Sequence, residues 1–135
     1  MRRYLLDTGP AQHLINRRRG VLDRVDEERH LGNRIGICVP VLGELWSGVE
    51  GSISRDRNVQ RLRNALSRLV VWPYTNDAAA EFGRLFAALR RLGRPMQQID
   101  IQIAAIALSL GNCTVVSTDT DLTAVPGLTV ENWAT

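Results

Sequence analysis

A chain of 135 residues, 44% of them hydrophobic, can enclose one core and is too short for two ordinary domains, so residues 1–135 are expected to form a single domain. No apolar run approaches the roughly 18 residues of a membrane span, and Met1–Leu6 meets Asp7 too early for a signal-peptide core, which points away from membrane classes and predicts a cytoplasmic protein. The 17 basic residues are all arginine and stand against 14 acidic ones, and a net charge of +3 does not by itself mark a nucleic-acid binder.

Tyr4–Leu6 reads as a short buried strand. It leads into Asp7-Thr8-Gly9-Pro10, where Thr8 can cap a helix and Pro10 suits a first turn. The helix is expected to run to about Arg18, with a second, charged amphipathic helix from Gly20 to about His30. Ile35–Val39 is the next strand, ended by Pro40, and a helix restarts over 41–49. Apolar residues at Val59, Leu62, Leu66 and Leu69 form a helical stripe that leads into the strand Val70–Trp72. Asn76 or Asp77 is placed to cap a helix reaching about Leu92, and Gly93 ends it. Ile99–Leu110 is the most apolar helix, closed by Gly111-Asn112. A strand at 114–116, a turn-rich segment at 117–121 and a last strand near 128–130 complete the chain. Cys38 and Cys113 lie in apolar strands without metal-type spacing and read as buried free thiols. The three tryptophans, Trp46, Trp72 and Trp133, read as packing residues. Strands alternating with helices predict an α/β fold, three layers deep, with a short, mainly parallel sheet of about four to five strands.

Open parallel sheets bind ligands at the carboxyl ends of their strands. Asp7 ends the first strand, Asp119 follows the strand at 114–116, and Glu44 lies in the first turns of the helix after the second strand. Asp100 sits where the chain's most apolar helix begins. A buried, unpaired carboxylate there costs several kcal/mol, and a cation compensates it; the alternative is an arginine partner or the helix dipole. Carboxylates converging without matching histidines or cysteines form a hard, oxygen-rich site suited to Mg²⁺ or Mn²⁺; His13 and His30 read as surface residues. Such a site suits in-line attack of water on phosphorus, and hence phosphodiester hydrolysis leaving a 5′-phosphate and a 3′-hydroxyl. The arginine clusters Arg17–Arg19, Arg55–Arg63 and Arg90–Arg94 read first as solvated helix faces, and as phosphate contacts if an RNA-cleaving site lies beside them.

Tyr4-Leu-Leu-Asp7-Thr8, Val41-Leu-Gly-Glu44-Leu, Ile99-Asp100-Ile-Gln-Ile-Ala-Ala-Ile-Ala, Val116-Ser117-Thr118-Asp119-Thr-Asp121-Leu and Pro126-Gly-Leu-Thr-Val-Glu-Asn-Trp133 follow one another in this order. Together they resemble the PIN-domain toxins of the VapC type. The resemblance covers essentially the whole chain and implies a PIN-like fold, a Mg²⁺- or Mn²⁺-dependent endoribonuclease acting on structured RNA such as transfer RNA, and a homodimer silenced by a cognate VapB-like antitoxin. In so small a domain, apolar Val41, Leu42, Leu45 and Trp46 are expected to stay partly uncovered and to serve the dimer. The resemblance assigns Asp7, Glu44, Asp100 and Asp119 as the acidic metal-binding and catalytic quartet. Thr8 and Ser117 fit roles orienting a carboxylate or a water of the site, with simple capping as the plainer reading. Asp121 either shares the metal with Asp119 or bonds its own turn. Gly9 stands where many relatives carry a polar side chain, and Leu122 where phenylalanine is common. Two rivals keep the site but change the class. One is a catalytically weak domain serving as binding partner in a repressor complex; the other is a DNA nuclease or phosphatase using the same metal-carboxylate logic.

Overall fold

The computed structural model describes residues 1–135. In chain order the elements are β1 (Arg3–Leu6), α1 (Thr8–Ile15), α2 (Val21–His30), β2 (Arg34–Cys38), α3 (Val39–Glu50), α4 (Arg55–Leu66), β3 (Val70–Trp72), α5 (Asn76–Arg91), α6 (Gln98–Leu110), β4 (Cys113–Val116), a 3₁₀ turn (Thr120–Ala124) and β5 (Thr129–Glu131). The strands form one five-stranded, fully parallel sheet in the order β3-β2-β1-β4-β5. β1 is central, with Leu5 aligned to Gly36 of β2 on one side and to Val115 of β4 on the other.

Parallel strands need crossovers, and right-handed crossovers put α1–α4 on one face of the sheet and α5–α6 on the other. Most of the packing follows that division: α1 lies against α2 and α4, α3 against α4, and α5 against α6, which also covers β4, while α3 and α6 touch across the division. A strand covered on both faces gains from being apolar throughout, which is why Leu5, Leu6, Ile35, Ile37, Val115 and Val116 are all fully buried or nearly so. α6 is the core helix, with Ile101 and the run Ile103–Ala107 shielded from solvent. Gly36 fixes the spacing of β2 against β3, because a β-carbon there would lie 2.3 Å from the Val70 carbonyl oxygen and 2.9 Å from the Trp72 ring. No helix is long and apolar enough to cross a membrane.

Local chemistry moves several expected boundaries. Asp7, not Thr8, caps α1: its carboxylate accepts from the Thr8 amide at 2.8 Å, placing Thr8 as the first helical residue. α1 stops at Ile15 rather than near Arg18, since Arg17 and Arg19 adopt left-handed backbone with φ of 53° and 57°. α5 is capped by Thr75, whose hydroxyl accepts from the Ala78 amide at 3.1 Å, instead of by Asn76 or Asp77. Cys38 is a buried free thiol as expected, while Cys113, at the start of β4, is only half-buried.

Candidate active site

The sheet topology gathers acids that are far apart in sequence. Asp7 and Asp119 follow the carboxyl ends of neighbouring strands β1 and β4, and Glu44 lies on the second turn of α3, which leaves β2 at the same edge. Asp100 occupies the first turn of α6, the helix that returns the chain to β4. These side chains share one field. The Asp100 carboxyl is pushed up to about 6, first by burial and then by the charges of Asp7, Asp119, Asp121 and Glu44. Asp7 is also raised, by burial first, with Asp119 and Glu44 adding to the shift.

Hydroxyls and amides hold three of the acids in place. Both Asp7 oxygens are engaged, Oδ1 by the Thr8 amide and Oδ2 by the Ser117 hydroxyl at 2.8 Å, and these bonds oppose the effect of burial. Ser117 Oγ in turn accepts from the Asp119 amide at 2.9 Å, so one buried hydroxyl joins the ends of β1 and β4. The Thr8 hydroxyl donates to Glu44 Oε1 at 2.5 Å, tying α1 to α3. Asp119 Oδ1 accepts from the Asp121 amide at 2.9 Å and caps the 3₁₀ turn. Thr8 and Ser117 thus bond carboxylates directly. Asp121 contributes its amide to that turn, and its exposed carboxylate borders a cavity of about 320 Å³ shared with Arg94 and Met96. Sequence reading grouped Arg94 with Arg90 and Arg91 and had no signal that the loop between α5 and α6 brings it to Asp121.

Asp100 differs from the rest. Its half-buried carboxylate forms no hydrogen bond and no ion pair, so the expected alternative of an arginine partner is absent, and only the dipole of its own helix favours the charge. No three acids stand close enough to form a finished cation cage; they form an acidic rim whose charges repel. The donor set is all carboxylate: His13 and His30 lie on α1 and α2, and the Cys38 thiol, buried and pushed up to about 11, stays neutral. Hard oxygen donors with unrelieved negative charge fit a divalent cation of the Mg²⁺ or Mn²⁺ kind and not a thiophilic one. Around this rim, a β-carbon on Gly9 would meet nothing nearer than the Thr118 hydroxyl at 4.0 Å, so a larger residue has room there. Leu122 is fully buried and acts in packing.

A doubly covered parallel sheet with an acidic carboxyl edge defines an α/β protein built to hold a cation there, and the comparisons with known proteins specify its class. The PIN-domain profile matches residues 4–128, and the chain belongs to the PIN-domain family. It is 34% identical to the ribonuclease VapC2 of Haemophilus influenzae over 98% of this chain and 99% of that protein. It is 31% identical to the tRNA(fMet)-specific endonuclease VapC of Salmonella typhimurium, again over 98% and 99%. Among solved structures, VapBC2 of Rickettsia felis bound to a DNA fragment from its promoter superposes with a TM-score of 0.91 at 28% identity, covering 97% of this chain and 98% of that one.

Proposed function

We propose that this chain is a divalent-metal-dependent endoribonuclease that hydrolyses phosphodiester bonds of structured RNA such as transfer RNA, the toxin of a toxin–antitoxin pair, working in the cytoplasm. The observation that carries the reading is the Asp100 carboxylate, half-buried and unpartnered in the field of Asp7, Glu44, Asp119 and Asp121. A protein gains nothing in stability from such an arrangement, so its use lies in holding a cation. Similarity to ribonucleases and to a transfer-RNA endonuclease along the whole chain supports the substrate class.

Asp7, Glu44, Asp100 and Asp119 are the residues assigned to hold Mg²⁺ or Mn²⁺. The bound cation supplies polarisation of a phosphoryl oxygen and acidification of an attacking water. Ser117 and Thr8 restrain the Asp7 and Glu44 carboxylates through one hydrogen bond each, leaving lone pairs free for a cation. Asp100 must be ionised to serve, and its raised pKa means that a cation and a proton compete for it. Asp121 keeps a free carboxylate at the rim, next to Arg94, where it faces substrate or solvent.

The partner is a cognate VapB-like antitoxin, supported by relatives solved as VapBC complexes. An antitoxin segment presenting an arginine or lysine to the acidic rim would replace the cation's charge, so the complex should bind Mn²⁺ poorly. A homodimer is proposed as well, but on a smaller surface than the sequence suggests: Val41 and Leu45 are buried within the chain, leaving Leu42 and Trp46 of α3 half-exposed. Light scattering at micromolar concentration tests it. The activity itself is tested by incubating the protein with Mn²⁺ and, separately, single-stranded RNA, single-stranded DNA and a phosphomonoester. Cleavage of RNA alone supports the reading; cleavage of none, or preference for DNA or the monoester, overturns it.

A further inference from the structure

Four arginines outside the acidic rim converge on one hollow. Arg17 and Arg18, in the turn after α1, stand opposite Arg61 and Arg68 of the α4 region around a cavity of about 430 Å³, with Asn16 and Asn64 also in its wall. Outside the hollow, Arg55 pairs with Glu50 and Asp56, Arg24 with Glu28 and Glu131, and Arg84 with Glu81. Here Arg68 alone has an acidic neighbour, Asp26, at 3.9 Å, and Arg17, Arg18 and Arg61 form no ion pair. Like charges held around a concavity repel, and an anion in the hollow relieves them.

The arginine turn is held rather than loose. Arg17 and Arg19 both sit in left-handed backbone, and the Thr135 amide and hydroxyl both donate to the Arg19 carbonyl, at 2.9 and 3.1 Å. The hollow also continues toward the side of the molecule that carries Glu44. A second cavity of about 200 Å³ shares Ile15 and Asn16 with it and extends to Leu45 and Gly48, beside and one turn beyond Glu44 on α3. Along the same side, α1 runs the eight residues from Thr8, which bonds Glu44, to Ile15, a length of about 12 Å. The second cavity, between α1 and α3, thus lies on the way from the arginines to the Thr8–Glu44 bond, a separation within the reach of a few nucleotides.

We propose that the arginine hollow is a second RNA-backbone site, which holds phosphates of a strand running between α1 and α3 from the acidic rim. The proposal rests on the endoribonuclease reading and adds where the strand goes after it leaves the carboxylates. Guanidinium forks donate to carboxylate and phosphate oxygens alike. Uncompensated guanidiniums on both walls match a chain of regularly spaced phosphates better than one acidic side chain, and the many-charge contact makes the binding salt-dependent.

The test uses the full chain in EDTA, where no cleavage consumes the probe, and a fluorescein-labelled transfer-RNA anticodon stem–loop followed by fluorescence anisotropy across a KCl series. Arg18→Gln/Arg61→Gln should bind more weakly, with the slope of log affinity against log salt reduced by about 0.7 per arginine removed. Arg18→Lys/Arg61→Lys keeps both charges and should retain the slope. Both side chains are exposed, so the melting temperature reports whether each variant is folded; if the double variant is not, Arg61→Gln alone carries the test. Wild-type affinity and slope in the glutamine variant overturn the proposal. So does unchanged RNA binding accompanied by lost binding of a poly-glutamate peptide, which would make the hollow a site for an acidic protein segment. Cleavage of the same stem–loop by wild type in Mn²⁺ is measured in parallel: failure there counts against the nuclease reading, whereas cleavage with an unaltered salt slope in the variant counts against this site only.

Discussion

The Ser117 hydroxyl donates to Asp7 Oδ2 at 2.8 Å and accepts from the Asp119 amide at 2.9 Å, so one buried side chain sets the relative position of two acids carried by neighbouring strands. Removing it frees the Asp7 carboxylate to rotate and takes away a bond that favours its charged form. Ser117→Ala should therefore lower metal-dependent RNA cleavage by about 10- to 100-fold, with weaker metal binding. Stability should change by no more than about 1–3 kcal/mol, because the Asp119 amide loses its acceptor. Cleavage rates, Mn²⁺ titration and a thermal melt check this together; unchanged cleavage in a folded variant would show that the hydroxyl only caps the turn.

The acidic rim also predicts how the metal-free protein responds to pH. Asp100 titrates near 6 in the folded chain and near 3.8 when unfolded, and Asp7 is raised in the same direction. Between these values the folded state binds more protons, so stability rises as pH falls from about 7 through 6. Solvent reaches Asp100, and after screening the gain should be about 1 kcal/mol. Urea unfolding in EDTA across pH 4.5–7.5 should show the most stable protein on the acidic side of 6. Mn²⁺ should reverse the trend, since it binds the ionised carboxylates. Stability that falls steadily with acid in EDTA would mean that the acids are paired rather than strained.

Gly36 makes a prediction about the scaffold. Gly36→Ala forces a β-carbon against the Val70 carbonyl and the Trp72 ring, and rigid strand backbone cannot give way as a flexible side chain would. The variant should lose about 1–3 kcal/mol or fail to fold. Chemical denaturation measures it, and a neutral result would mean that β2 and β3 are spaced more loosely than described.

Much of this architecture was legible from periodicity and punctuation. Every strand and helix could be placed within a few residues, because apolar runs of about five alternate with amphipathic stripes and because Pro and Gly fall between them. The acid positions at the sheet's carboxyl edge followed from topology alone. The errors lie where neighbouring residues have the same local chemistry: Asp7 and Thr8 are both good caps, as are Thr75, Asn76 and Asp77, and only tertiary contacts decide among them. Val41 and Leu45 looked like uncovered surface because the packing of α3 against α4 and α6 is a tertiary arrangement that periodicity does not show. For the same reason the gathering of Arg17, Arg18, Arg61 and Arg68 around one hollow, and of Arg94 and Asp121 around another, has no trace in sequence spacing.

The central claim is that Asp100 belongs to a carboxylate cluster that awaits a cation, and Asp100→Asn tests it most directly because a structural role and a metal-holding role differ in sign. The carboxylate has no hydrogen bond or ion pair to lose, and the amide removes one repelling charge. In EDTA the variant should therefore melt at or above the wild-type temperature. Adding Mn²⁺ should stabilise wild type according to RT ln(1 + [L]/Kd) and the variant much less, and RNA cleavage by the variant should fall at least about a hundredfold. A variant that melts well below wild type in EDTA, gains as much from Mn²⁺ and still cuts RNA would contradict the account.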